Sequence, residues 1–222
     1  MTDNFTNYKC LIKLNGGLPD NNEKGNLDKF YVIELMRRGK DNPDMPAANY
    51  HFKNYYIYSW KDLDKYEQEI KEICTLLHLR AYCSVNYKLM SQIALDTVAE
   101  EARRIAAHDY KRFNSIFESC VGKFAHKENN LWVVDVDNQS DLLAVVKLEE
   151  YINSMRSKYE KIVIWNMPTR SGMHYICRPF SVKQFESGFA DALGEWFNEL
   201  PDVKKNHLTL LYENLDETMA CL

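Results

Sequence analysis

Between Trp60 and Leu79 the apolar residues Leu63, Tyr66, Ile70, Ile73, Leu76 and Leu77 return every three or four positions, the spacing of an amphipathic helix. A second stripe, Met90, Ile93, Ala94, Thr97, Ala102 and Ile105, predicts a helix over 88–107, and a shorter one is expected over 111–121. The aromatic and β-branched runs KFYVIELM (29–36) and NYYIY (54–58) predict two strands of a sheet, joined by a loop that contains Pro43 and Pro46. Residues 1–28, with Gly16, Gly17, Pro19, Asn21, Asn22 and Gly25, predict a short strand at most, then a loop. Over 80–86 a further strand would set Arg80, Tyr82, Ser84 and Asn86 on one face and Ala81, Cys83 and Val85 on the other. A face that polar is expected to look at water or, less often, into a ligand pocket.

Asn129 and Asn130 interrupt the pattern, which suggests a boundary near residue 128 between an amino-terminal α/β half (1–128) and a carboxyl-terminal half (129–222), packed as one body. In the second half, LWVVDV (131–136) predicts a strand, and Ser140 or Asp141 can cap a helix with the stripe Val145, Leu148, Ile152, Met155 and Tyr159. KIVIWN (161–166) and MHYICR (173–178) are strands joined through the turn Pro168–Gly172. Ser181 with Gln184 fits a capping box before a helix that would bury Phe185, Phe189, Leu193, Trp196 and Leu200 and end at Pro201. HLTLLY (207–212) completes the order β-α-β-β-α-β as a fourth strand. The expected fold class is therefore α+β, with a ferredoxin-like or RNA-recognition-motif-like second half whose first and third strands lie centrally.

Charge and composition narrow the function. A net charge of −4 argues against coating nucleic acid through bulk charge, which leaves local clusters such as Arg37, Arg38 and Lys40, or Lys204 and Lys205, as candidate phosphate contacts or simply solvated turns. The cysteines at 10, 74, 83, 120, 177 and 221 form no Cys-x-x-Cys pair and no zinc-finger spacing, so they are expected to be reduced thiols. With no apolar leader and no run of eighteen apolar residues, a cytoplasmic protein is expected.

The chemistry concentrates on the first strand of the second half. Asp135 and Asp137 are two apart, so on a strand their carboxylates share a face near its carboxyl end. Acids within an otherwise apolar WVVDV need a reason; oxygen ligands of this kind suit Mg²⁺ or Mn²⁺, completed by water and substrate phosphates. The plain alternative is a strand end whose acids face solvent or cap the next helix. An antiparallel third strand would bring His174 beside the pair, where it could contact a triphosphate, shuttle a proton or be a plain core histidine, and the preceding Arg170 and Ser171, with Gly172, could cradle phosphate from the turn.

The strand VVDVD and the following Ser171-Gly-Met-His174 resemble the first two motifs of the archaeo-eukaryotic primase superfamily, Asp-x-Asp on one strand and Ser-x-His on its neighbour, with one extra residue here. The resemblance covers about 90 residues of the second half. The segments RAYCSVNY and MPTRSGMHYICRPF are also similar to segments of phage and mobile-element proteins. The primase resemblance implies metal-dependent nucleotidyl transfer on a nucleoside triphosphate and nucleic acid, single strands included. Asp135 and Asp137 would hold the metal, Ser171 and His174 would meet the triphosphate, and Arg170 and Lys205 would neutralise phosphate charge. That superfamily uses a third carboxylate on a later strand; Asp202, Glu213 or none could serve here, and two-metal chemistry requires it. A phosphatase with an early Asp-x-Asp needs more chain after the pair, and a sugar-nucleotide transferase needs repeated β-α units in the first half. The standing rival is a protein without turnover that binds nucleotide or single strands through Tyr175, Trp165 and a basic edge, or that binds a protein partner.

Overall fold

In the computed structural model, which describes residues 1–20, 28–39, 49–124, 130–137 and 141–214, two antiparallel sheets share one apolar core. The first sheet has the order β1-β10-β4-β2-β3, built from β1 (Thr2–Asp3), β2 (Lys29–Arg37), β3 (Tyr50–Ile57), β4 (Arg80–Ser84) and β10 (Leu208–Glu213), with the short β5 (Lys88–Leu89) against the start of β2. The second has the order β7-β8-β6-β9, from β6 (Trp132–Val136), β7 (Val163–Pro168), β8 (Met173–Cys177) and β9 (Asp202–Lys205).

Helices α1 (Phe5–Leu14) and α2 (Trp60–Leu77) bury their stripes against Ile33, Leu35, Ala81 and Cys83 of the first sheet. The latter helix starts at a reciprocal cap, in which Ser59 and Asp62 each accept a backbone N–H of the other. Helices α3 (Met90–Ala106) and α4 (Ile116–Lys123) cluster with Phe30 and Val32, alternate residues of β2. On the second sheet, Val134, Tyr175 and Cys177 pack under α5 (Leu142–Asn153) and α6 (Val182–Leu193), whereas Val133, Ile176 and Met167 join Tyr8, Leu11 and Cys83 in the first core.

Several expectations change. Residues 5–14 form a helix, not a loop: Phe5, Tyr8, Leu11 and Ile12 make a narrow apolar stripe among polar residues, and it is stable because both sheets cover it. The segment 207–212 is not the fourth strand of the second sheet. That place belongs to β9, and β10 runs into the first sheet between β1 and β4, so the carboxyl-terminal half completes the amino-terminal sheet. The proposed boundary near residue 128, like Ser140 and Lys40, lies outside the described residues. Ser181 does cap Gln184 N, but the Gln184 side chain accepts from Arg156 N, so the capping box is half made. Helix α6 ends at Leu193, leaving Trp196 half-buried beyond it and Leu200 exposed. Tyr159 falls after α5, and Asp141 caps that helix through Leu143 N.

Two buried asparagines stitch the halves. Asn86 accepts from Leu131 N (2.7 Å) and donates to Leu131 O (2.8 Å), holding the entry to β6 as a strand neighbour would. Asn4 donates to Pro168 O (2.7 Å) and Leu210 O (2.9 Å), tying the start of α1 to β7 and β10. The five described cysteines are free thiols, and among the described residues no helix is long and apolar enough to cross a membrane.

Candidate phosphate-binding site between the sheets

Asp135 lies on the face of β6 that turns toward the first sheet, opposite His174 of β8 and Asp202 of β9. Lys204, two residues from Asp202, is on the same face. Three strands thus deliver charged side chains to one spot because the strand period is two. His174 Nε2 meets Asp135 Oδ1 at 3.0 Å, and Lys204 Nζ donates to Asp135 Oδ2. With the carboxylate ionised, the proton of the first contact belongs to Nε2, so in a neutral ring Nδ1 accepts the Thr209 hydroxyl 2.8 Å away. Burial works against the charge on Asp135, but His174 and Lys204 outweigh it and hold the carboxyl well below the usual carboxylate range. Burial also pulls the His207 imidazole below its ordinary value, and the nearby Lys204 and His174 add to that.

These residues open into a cavity of about 690 Å³ between the sheets. Arg38, Arg80, Arg170 and Lys204 line it with Asp135 and Asp137, so four basic side chains share the cavity with two carboxylates. A smaller cavity of about 310 Å³ shares Asp135, Asp137 and Lys204 and adds Glu199, Asp202 and Trp196.

The site residues expected from sequence fall in three groups. Asp135, His174, Arg170 and Ser171 all line the larger cavity, and Asp137 does too, although β6 ends at Val136 and Asp137 is exposed beyond it. Lys205 does not: strand alternation turns it to the opposite face, where its ammonium sits 4.9 Å from the Trp132 ring centre, and Lys204 takes the expected place. Of the third-acid candidates, Glu213 is buried against Arg80, with Oε2 3.1 Å from Nε, while Asp202 borders the smaller cavity. The polar face of β4 looks into the protein and not at water, since Arg80, Ser84 and Asn86 are buried and Arg80 and Tyr82 line the cavity. Tyr175 cannot be a stacking platform: it is fully buried under α5 and donates to Val145 O at 3.1 Å. Trp165 is packed against the first core.

Sequence reasoning missed Arg80 as a cavity residue, and it gave Arg38 and Lys204 only as members of basic clusters without placing them beside Asp135. The alternation of Arg80 and Tyr82 with apolar neighbours was a signal for the first sheet's share; nothing in the sequence alone brought it to β6.

Gly172 decides how closely the turn approaches the acids. A Cβ there would lie 1.9 Å from Val136 O, and Thr169 N closes the turn on Gly172 O at 3.0 Å. Backbone cannot yield as a flexible side-chain tip would. Gly172→Ala is therefore expected to push Arg170 and Ser171 away from Asp135 and weaken anion binding by about tenfold or more while α5 and α6 stay folded, as measured by titration and far-ultraviolet circular dichroism. Unchanged affinity would remove the turn from the site.

Comparison with protein-family models, with curated proteins and with solved structures finds no match to this chain.

Proposed function

We propose that the cavity between the sheets binds a nucleoside triphosphate and that the protein uses it in metal-dependent nucleotidyl transfer, in the manner of a primase or polymerase. One observation carries the reading: four cationic side chains from both halves converge on an acidic pair in a space of nucleotide size. Arg170 and Lys204 would hold phosphate oxygens, with Ser171 and the turn's backbone N–H groups adding hydrogen bonds. The carboxylates of Asp135 and Asp137 are hard oxygen donors, and each Asp135 oxygen keeps a lone pair beyond its present contact, so the pair fits Mg²⁺ or Mn²⁺. Among the described residues no group of three His, Cys, Asp or Glu could hold a metal ion, so a cation here would take the two carboxylates and complete its shell with water and phosphate oxygens. Such a cation would neutralise phosphate charge and align the reacting oxygens.

The chain's own part is to orient the phosphates between the two sheets and keep Asp135 ionised through His174 and Lys204. A second reading, nucleotide binding without turnover, is favoured by that same pairing, because Asp135 already has two basic partners. Calorimetric titration of a nucleoside triphosphate, with and without Mn²⁺, into the wild type and Arg170→Ala tests the reading. Binding strengthened by Mn²⁺ and weakened about tenfold or more by Arg170→Ala is expected. No binding by the wild type would end it.

A further inference from the structure

A second cavity, of about 460 Å³, lies at the other end of the β6–β8 pair, beside Leu131 and Arg178, where β6 begins and β8 has just ended. Its walls carry two cations and two tyrosines. Lys29 Nζ stands 4.0 Å from the Tyr87 ring centre and donates to Asn15 O at 3.1 Å; the Arg178 guanidinium stands 5.1 Å from that of Tyr159. None of the described residues lining the cavity is acidic, unlike the site at Asp135. Burial pulls the Lys29 ammonium below its ordinary range, the sign of a desolvated charge that an anion would relieve.

The walls are also fixed in place. Lys29 is in β2 and pairs with Leu89 of β5, Leu131 is held by the Asn86 side chain, and Gly16, at φ +88°, lets the ammonium approach where a Cβ would come within 2.9 Å of it. Cations set on aromatic faces, with no competing carboxylate, suit a ligand that joins negative charge to a flat ring.

We propose that this cavity is a second ligand site, separate from the one at Asp135, and that it takes a mononucleotide-sized anion bearing a planar ring, with Lys29 and Arg178 on the anion and Tyr87 and Tyr159 beside the ring. The inference does not rest on nucleotidyl transfer at Asp135. Its test is titration of adenosine monophosphate, and separately of inorganic phosphate, into the full chain as wild type, Arg170→Ala, Arg178→Glu and Lys29→Gln. Arg170→Ala is expected to keep one saturable site; Arg178→Glu and Lys29→Gln, each added to it, are expected to weaken that site by tenfold or more. Arg178 is exposed, so its replacement leaves the fold in place, and thermal melting of each variant checks this. Inorganic phosphate, lacking the ring, is expected to bind about tenfold or more weakly. Binding that Arg178→Glu and Lys29→Gln leave unchanged in the Arg170→Ala background would overturn the proposal, as would equal affinity for phosphate and the nucleotide. Failure of the reading at Asp135 would appear instead as the absence of any component that Arg170→Ala removes.

Discussion

If the protein carries out the proposed nucleotidyl transfer, Asp135→Ala is expected to lower metal-dependent turnover by about a thousandfold or more while leaving the protein folded. The carboxylate it removes is the point where β6, β8 and β9 deliver their charged groups, and no other described acid lies between His174 and Lys204. The same variant separates the two functional readings by sign. If the cavity only binds anions, deleting Asp135 frees Lys204 and His174 for phosphate and removes a repelling charge, so metal-free triphosphate binding should tighten by about tenfold or more. If the acid holds a cation that bridges to the triphosphate, affinity in Mn²⁺ should fall instead. Turnover assays and titrations with and without Mn²⁺, run on Asp135→Ala and on the near-isosteric Asp135→Asn, distinguish these outcomes. Undiminished turnover in both variants would sink the assignment of the site.

Glu213→Ala is expected to destabilise the fold by about 3–5 kcal/mol, the cost of leaving a buried charge without its partner. Arg80 and Glu213 are paired across β4 and β10, with side chains 8% and 3% exposed, and Thr2 adds a hydrogen bond to Glu213 from β1 (3.3 Å). Losing the carboxylate would leave the Arg80 guanidinium in the interior without this counter-charge, at the strand that draws the end of the chain into the first sheet. Urea unfolding measures the loss. The double variant Arg80→Met, Glu213→Leu should recover most of it, since apolar groups of similar size need no counter-charge. A loss below about 1 kcal/mol in the single variant would mean that water reaches the pair.

Local chemistry was enough to identify most elements and part of the site. The stripe from Leu63 to Ile73 could only be a helix, WVVDV had the composition of a strand, and Asp141, Pro168–Gly172 and Ser181 marked turns and caps through their own side chains and backbone preferences. The acidic residue within β6 stood out because its neighbours are apolar, and antiparallel pairing then brought His174 to it, since the start of β8 lies against the end of β6. The α+β class followed from the same patterns. Only the tertiary structure decided the rest. Helix α1 depends on cover from both sheets, and the choice between β9 and β10 as the fourth strand turned on which edge each could reach. A run such as HLTLLY is equally apolar in either sheet. Whether Lys204 or Lys205 faces the cavity, and whether Arg80 looks at water or into the cavity, depends on packing between sheets distant in sequence. Periodicity fixes which side chains share a face; what that face meets is settled by long-range burial, which no local pattern encodes.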